Sequence, residues 1–128
     1  MSQMEPNERL INLANRFSQV SIVLNPTHLR EEVERLERRA TDQGLWNDQD
    51  NAQRVTSELS NKRQLLTRLV EIERLLEDTS VLMSLAVQEG DSAAAAEVDV
   101  DIAKLETLLG SLETETLLSG EYDSRSAV

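Results

Sequence analysis

Apolar residues recur at helical spacing along almost the whole chain, and the places where that rhythm fails divide it into helices. The longest unbroken stretch is 47–89, with no proline or glycine between Gly44 and Gly90. Its apolar positions are Ala52, Val55, Leu59, Leu66, Leu69, Ile72, Leu76, Met83 and Ala86. From Leu66 they step by 3, 3, 4, 7 and 3, so the stripe drifts around the helix and serves two partners in succession. One helix of about forty residues is predicted, roughly 60 Å long at ~1.5 Å per residue. The architecture this implies is all-α: an elongated antiparallel bundle, or set of hairpins, of three to four helices with one very long central helix. Asp78-Thr79-Ser80 is where the long helix either kinks or runs on, since all three favour caps over helix interiors.

The remaining helices are placed by their stripes and stop signals. A first helix is predicted over 7–24, with Pro6 before it and Asn7 as cap. Leu10, Leu13, Ala14, Phe17, Ser21 and Leu24 form one buried face. Ile11, Val20, Ile22 and Val23 make its last turns apolar on more than one side, so it needs more than one neighbour or lies under another domain. Asn25-Pro26 breaks it, because proline disfavours a helical residue before it. A second helix starts at Pro26 or Thr27 and ends at Gly44, which is expected in the left-handed position after a helix. Leu29, Val33, Leu36 and Ala40 are its narrow buried stripe; its other faces are charged, with Glu31–Arg35 and Glu34–Arg38 at i,i+4.

At the tight connection between the second and third helices, Trp46, Asn47 and Asp48 form a structural corner. Asn47 or Asp48 caps the long helix, and Trp46 is read as a plug stapled onto Ala52 or Val55 rather than as an exposed recognition aromatic. After the turn at Gly90-Asp91, with Asp91 or Ser92 as cap, a fourth helix covers 93–119 and stops at Gly120. Its strict heptad of Val98, Ile102, Leu105, Leu109 and Leu112 suits packing along one neighbour, the second half of the third helix. Glu121-Tyr122-Asp123 departs from the helical pattern. The expected domains are therefore a helical one over 1–120 and, over 121–128, the start of a following, truncated one.

Charge alters this picture most. The formal net charge is −11, yet residues 1–76 carry 11 basic and 12 acidic side chains while 77–121 carry 11 acidic ones and only Lys104. That second half repels phosphate and serves as a solvated face or a surface for a basic protein. Any contact with RNA would come from 30–74, where Arg35, Arg38, Arg39, Arg54, Lys62, Arg63, Arg68 and Arg74 lie, although salt bridging on solvated faces is the stronger explanation of these residues. There is no cysteine, no apolar signal core and no apolar run of the ~20 residues that span a bilayer, so a cytoplasmic, membrane-free protein is expected.

Little else on the chain points to chemistry. His28 is the only histidine, so neither a metal site nor a catalytic triad can be built around it. Glu97, Asp99 and Asp101 lack the glycine and terminal glutamate of a calcium loop. No glycine-rich phosphate loop is present. The reading is of an interaction module, not an enzyme, with no cofactor, metal or small-molecule substrate. One candidate use is a free-standing coiled-coil scaffold that dimerises through the heptad seam of the fourth helix.

Two motifs point further. Leu45-Trp46-Asn47-Asp48 followed by Ala52-Gln53, and Leu117-Leu118-Ser119-Gly120-Glu121-Tyr122-Asp123, resemble the N-terminal helical domain of the bacterial peptide chain release factor 2 family, class I translation termination factors. The helical layout between them matches as well, including the Ala-Val-Gln-Glu-Gly-Asp turn at 86–91. The resemblance implies a factor acting at UGA and UAA codons, in which other domains read the codon through a Ser-Pro-Phe tripeptide and promote peptidyl-tRNA hydrolysis through a Gly-Gly-Gln loop. Neither tripeptide occurs here. What it implies for this chain is docking at the stalk base of the large ribosomal subunit, on its protein and RNA, beside the remaining domains of the same factor. Arg35, Arg38 and Arg39 are the candidate ribosome contacts.

Overall fold

The computed structural model describes residues 5–118. They form α1 (Pro6–Leu24), α2 (Pro26–Ala40), α3 (Gln49–Glu89) and α4 (Ser92–Leu118), with a short 3₁₀ turn, Gln43–Asn47, between α2 and α3. No strand occurs among the described residues. The expected stop at Gly120 and the domain start at 121–128 lie outside them.

The helices sort into two compact units, divided after Val23 and again after Val70. The first unit contains α1, the part of α3 from Glu71 onward, and α4. Its core comes from Leu10, Leu13 and Val20 of α1, Ile72 and Thr79 of α3, and the heptad of α4. Val98, Ile102, Leu105, Leu109 and Leu112 are only 0–3% exposed. Their apolar area is therefore removed from water within a single chain, worth roughly 1.5–3 kcal/mol per side chain. A seam so thoroughly used is not available for dimerisation.

α3 and α4 form an antiparallel hairpin through a two-residue turn. Gly90 adopts a left-handed conformation (φ 62°), which glycine tolerates without a Cβ clash. The Asp91 N–H donates back to the Ala86 carbonyl at 3.2 Å. The Asp91 carboxylate accepts the Ala93 and Ala94 N–H groups at 3.0 and 3.2 Å, which starts α4. α4 also has a second neighbour, beyond the one expected from its heptad. Arg9 and Arg16 of α1 grip Glu106 and Glu113 of α4, each pair 97 residues apart, so α1 runs parallel to α4.

α3 continues through Asp78-Thr79-Ser80 without a break. Thr79 is fully buried and occupies the gap of seven in the apolar stripe. Ile72, Leu76, Thr79, Met83 and Ala86 thus step 4-3-4-3, in phase with the seam of α4. Burial of its methyl group outweighs its preference for a cap, at the expense of a hydroxyl with no hydrogen-bond partner among the described residues.

The second unit, Leu24–Val70, pairs α2 with the first part of α3. Val33, Leu36, Leu45, Ala52, Val55 and Leu59 form one cluster, with Ala40 and Leu66 against it. Helix boundaries differ slightly from expectation: α1 begins at Pro6 and α3 at Gln49. A larger difference concerns Gly44. α2 ends at Ala40, and Gly44 lies inside the 3₁₀ turn with no left-handed backbone. The Asp42 carboxylate accepts the Gly44 N–H at 2.9 Å and starts that turn in its place. The unexpected left-handed residue is Asn25 (φ 53°), whose Oδ1 accepts the His28 N–H at 3.2 Å and caps α2.

Candidate interaction surface

The cation candidates divide sharply once partners are assigned. Lys62 of α3 reaches Glu32 of α2 at 3.3 Å, and Arg63 pairs with Glu37. Arg35 lies 3.8 Å from Glu32, at the limit of an ion pair. Arg38 and Arg39, both exposed in the last turn of α2, make no ion pair among the described residues. At 100° per residue, Arg35, Arg38 and Arg39 fall within one arc of about 100°, away from the face that buries Leu29, Val33 and Leu36. His28 stays exposed, 3.5 Å from Glu32.

The corner after α2 explains why those two guanidiniums are left over. A helix ends with four carbonyls lacking intrahelical donors. Here each has one. The Thr41 N–H serves Glu37 at 3.3 Å, the Thr41 hydroxyl serves Arg38 at 2.8 Å, and the Asp42 N–H serves Arg39 at 3.1 Å. The fourth, Ala40, accepts the indole N–H of Trp46 at 3.3 Å. No arginine is needed to close the helix.

Trp46 is therefore not the plug expected at this corner. It is 57% exposed, while its neighbour Leu45, at 7%, fills the core. The 3₁₀ turn rotates Leu45 inward and leaves the indole outside, tethered by its only donor. Asn47 is exposed, and capping of α3 falls to Asp48, whose Oδ1 accepts the Asn51 N–H at 3.2 Å. The sequence does not mark Leu45 as the buried residue of the pair: Trp46 is the larger apolar neighbour, and nothing in the spacing separates the two.

Charge follows the units. Leu24–Val70 carries eight basic and eight acidic residues, so the whole formal −11 belongs to the rest of the chain. Within the first unit, hydrogen bonding from Arg9 holds the Glu106 carboxyl below its usual range, against a smaller opposing effect of burial. Glu97, hydrogen-bonded to Asp101, is pushed up. A cleft of about 290 Å³ between α1 and α4 is lined by Val20, Val23, Thr116 and Leu117 and bounded by Arg16 and Glu113. The Glu113 carboxylate there is already gripped by Arg16 at 2.6 and 3.0 Å. Among the described residues no group of three histidine, cysteine or acidic side chains could hold a metal ion, and no helix is long and apolar enough to cross a membrane.

The chain has relatives among known proteins. The PCRF domain model matches residues 29–128. Over 128 residues the chain is 41% identical to peptide chain release factor 2 of Acidothermus cellulolyticus, covering all of this chain and 35% of that protein. It is 43% identical over 129 residues to the same factor of Mycobacterium avium, and 40% over 124 residues to that of Corynebacterium aurimucosum. These alignments cover 98% and 97% of this chain, and 35% and 34% of the relatives. The chain spans about a third of the length of the curated relatives it matches.

Proposed function

Because the chain belongs to the PCRF domain family, we propose that it is the ribosome-docking part of a peptide chain release factor that terminates translation at UGA and UAA codons. The observation that carries this reading is the 41% identity sustained over its whole length to a release factor 2. Codon reading and peptidyl-tRNA hydrolysis belong, in this reading, to the other two thirds of such a factor. This chain contributes binding: it holds no cofactor, turns over no substrate, and orients the factor in the cytoplasm at the stalk base of the large subunit, on protein and RNA. The exposed arginines Arg35, Arg38 and Arg39 supply the contact. A scaffold dimerising through the α4 seam gains no support, since that seam is buried within one chain.

The test is peptide release from ribosomes halted at UGA, UAA or UAG, using the full-length factor that contains this chain. Release at UGA and UAA but not UAG is expected, with no release by residues 1–128 alone. Arg35→Glu with Arg39→Glu in the full-length factor should weaken ribosome binding more at low than at high salt. Release at UAG in place of UGA, or failure of the full-length factor to bind ribosomes, overturns the reading.

A further inference from the structure

We infer that Trp46, Arg38 and Arg39 form a contact for RNA, the indole stacking on an unpaired base and the two guanidiniums holding its flanking phosphates. The inference rests on the docking reading and goes beyond it by naming the class of partner at this corner.

The four terminal carbonyls of α2 are already satisfied by Thr41, Asp42 and Trp46, so Arg38 and Arg39 have no capping duty. Neither makes an ion pair among the described residues, whereas Lys62 and Arg63 on the facing helix do. Two exposed guanidiniums therefore remain without an ion pair among the described residues, and such forks suit phosphate oxygens.

Trp46 completes the arrangement. Its N–H is spent on the Ala40 carbonyl, one residue beyond Arg39. An outside partner can therefore use only the ring of a side chain that is 57% exposed and tethered by that bond. A tethered π-surface beside spare cations is the combination that holds single-stranded nucleic acid, with stacking from the ring and phosphate contact from the arginines. Asp42 and Asp48 keep their charge, each with an oxygen turned to a backbone N–H, and the second unit is neutral overall. An acidic protein could also use the arginines, but it would gain little from the open face of an indole with no donor left.

The chain's single tryptophan is its own probe. Residues 1–128 would be titrated with protein-free large-subunit ribosomal RNA, following Trp46 emission and repeating the titration at several salt concentrations. Quenching of at least twofold is expected on binding. Trp46→Ala and Trp46→Phe remove the emitting indole, so their binding is followed by mobility shift of the RNA on a native gel; Trp46→Ala should weaken it ~5- to 150-fold, the range of stacking on one base, whereas Trp46→Phe retains most of it. Arg38→Ala with Arg39→Ala should flatten the salt slope by about 1.4, at ~0.7 for each phosphate contact on a single strand. Leu45, not Trp46, fills the core, so Trp46→Ala leaves the cluster around Leu36 and Val55 in place and loses only the bond to the Ala40 carbonyl; a melting transition that stays cooperative and shifts by no more than a few degrees verifies this.

Binding without quenching, or binding indifferent to all these variants, overturns the inference. Transfer of the Trp46 and arginine sensitivity to a ribosomal protein free of RNA also overturns it, in favour of a protein partner. The docking reading fails separately, when the full-length factor does not bind ribosomes at all. If that factor binds ribosomes equally well with Trp46→Ala or the double arginine variant, docking stands and this inference falls.

Discussion

Arg16 and Glu113 meet fork to fork, Nη2 lying 2.6 Å from one carboxylate oxygen and Nε 3.0 Å from the other. Seven residues earlier on each helix, Arg9 holds Glu106 in the same way at 2.7 and 3.1 Å. Moving one heptad along α1 moves one heptad along α4 in the same direction, which only a parallel pair allows. A slip by one turn would break both forks. The two pairs thus act as a register device on an otherwise greasy, slippable contact.

The first expectation follows from this. Arg16→Glu should destabilise the fold through repulsion with Glu113, and adding Glu113→Arg should recover most of the loss. Both partners are about two-thirds shielded, so a double-mutant cycle in urea is expected to give a coupling near ~1 kcal/mol, the upper end for partly exposed pairs. Simple additivity of the two single substitutions would show that the pair does not set register.

Acid should act on Glu106 and Glu97 in opposite senses. Glu106 has a folded pKa lowered chiefly by hydrogen bonds from Arg9. Its contribution is present above the unfolded carboxyl value, about 4.3, and is lost as pH falls through the lower folded value. Glu97 has a raised folded pKa through its bond to Asp101, so its contribution is present below the unfolded value and is lost as pH rises through the folded one. Glu106→Gln is therefore expected to lower Tm at pH 7 and to converge on the parent in acid. Glu97→Gln should raise Tm at pH 7 and also converge near pH 4. Melting curves between pH 3 and 8 check both; a constant offset at every pH contradicts them.

Thr79 offers a stabilising change. Its buried Oγ1 has no partner among the described residues, so Thr79→Val keeps the shape and removes an unmet hydroxyl. A gain of ~1 kcal/mol in urea denaturation is expected. Thr79→Ala should lose stability instead, because it also removes the methyl group that fills the stripe. A loss from the valine variant would show that the hydroxyl is satisfied in solution.

The glycines separate by backbone rather than by room. A Cβ at Gly110, within α4, meets nothing within 4 Å and the backbone is not left-handed. Gly110→Ala should therefore stabilise by ~0.5–1 kcal/mol. A Cβ at Gly90 also meets nothing, yet its φ of 62° makes Gly90→Ala cost about 1 kcal/mol. Equal effects at the two positions would mean that the hairpin turn relaxes freely.

Much of this fold could be read from residue spacing. Four helices, their order, the buried heptad of α4 and the hairpin turn at Gly90 follow from apolar period and stop signals, which are local properties of the chain. Less of the candidate surface was legible. Arg38 and Arg39 were singled out with Arg35 among many charged neighbours, but which cations remain unpaired depends on Glu32 and Glu37 facing Lys62 and Arg63 across two helices. No local pattern encodes that pairing.

Sequence alone settled that this chain is helical, where its long helix lies, and that its acidic charge gathers toward the C-terminal part, because periodicity and composition act over a few turns. Tertiary packing settled three other things. Thr79 became a core residue because the bundle's phase, not its own preference, chose the buried face. Leu45 rather than Trp46 turned inward because the 3₁₀ turn that α2 needs to close its last carbonyls sets which side chain points to the cluster. α1 runs beside α4 in parallel because two arginine forks, seven residues apart, find matching carboxylates 97 residues downstream. Such pairings join residues distant along the chain, and their energy exists only once the helices are side by side.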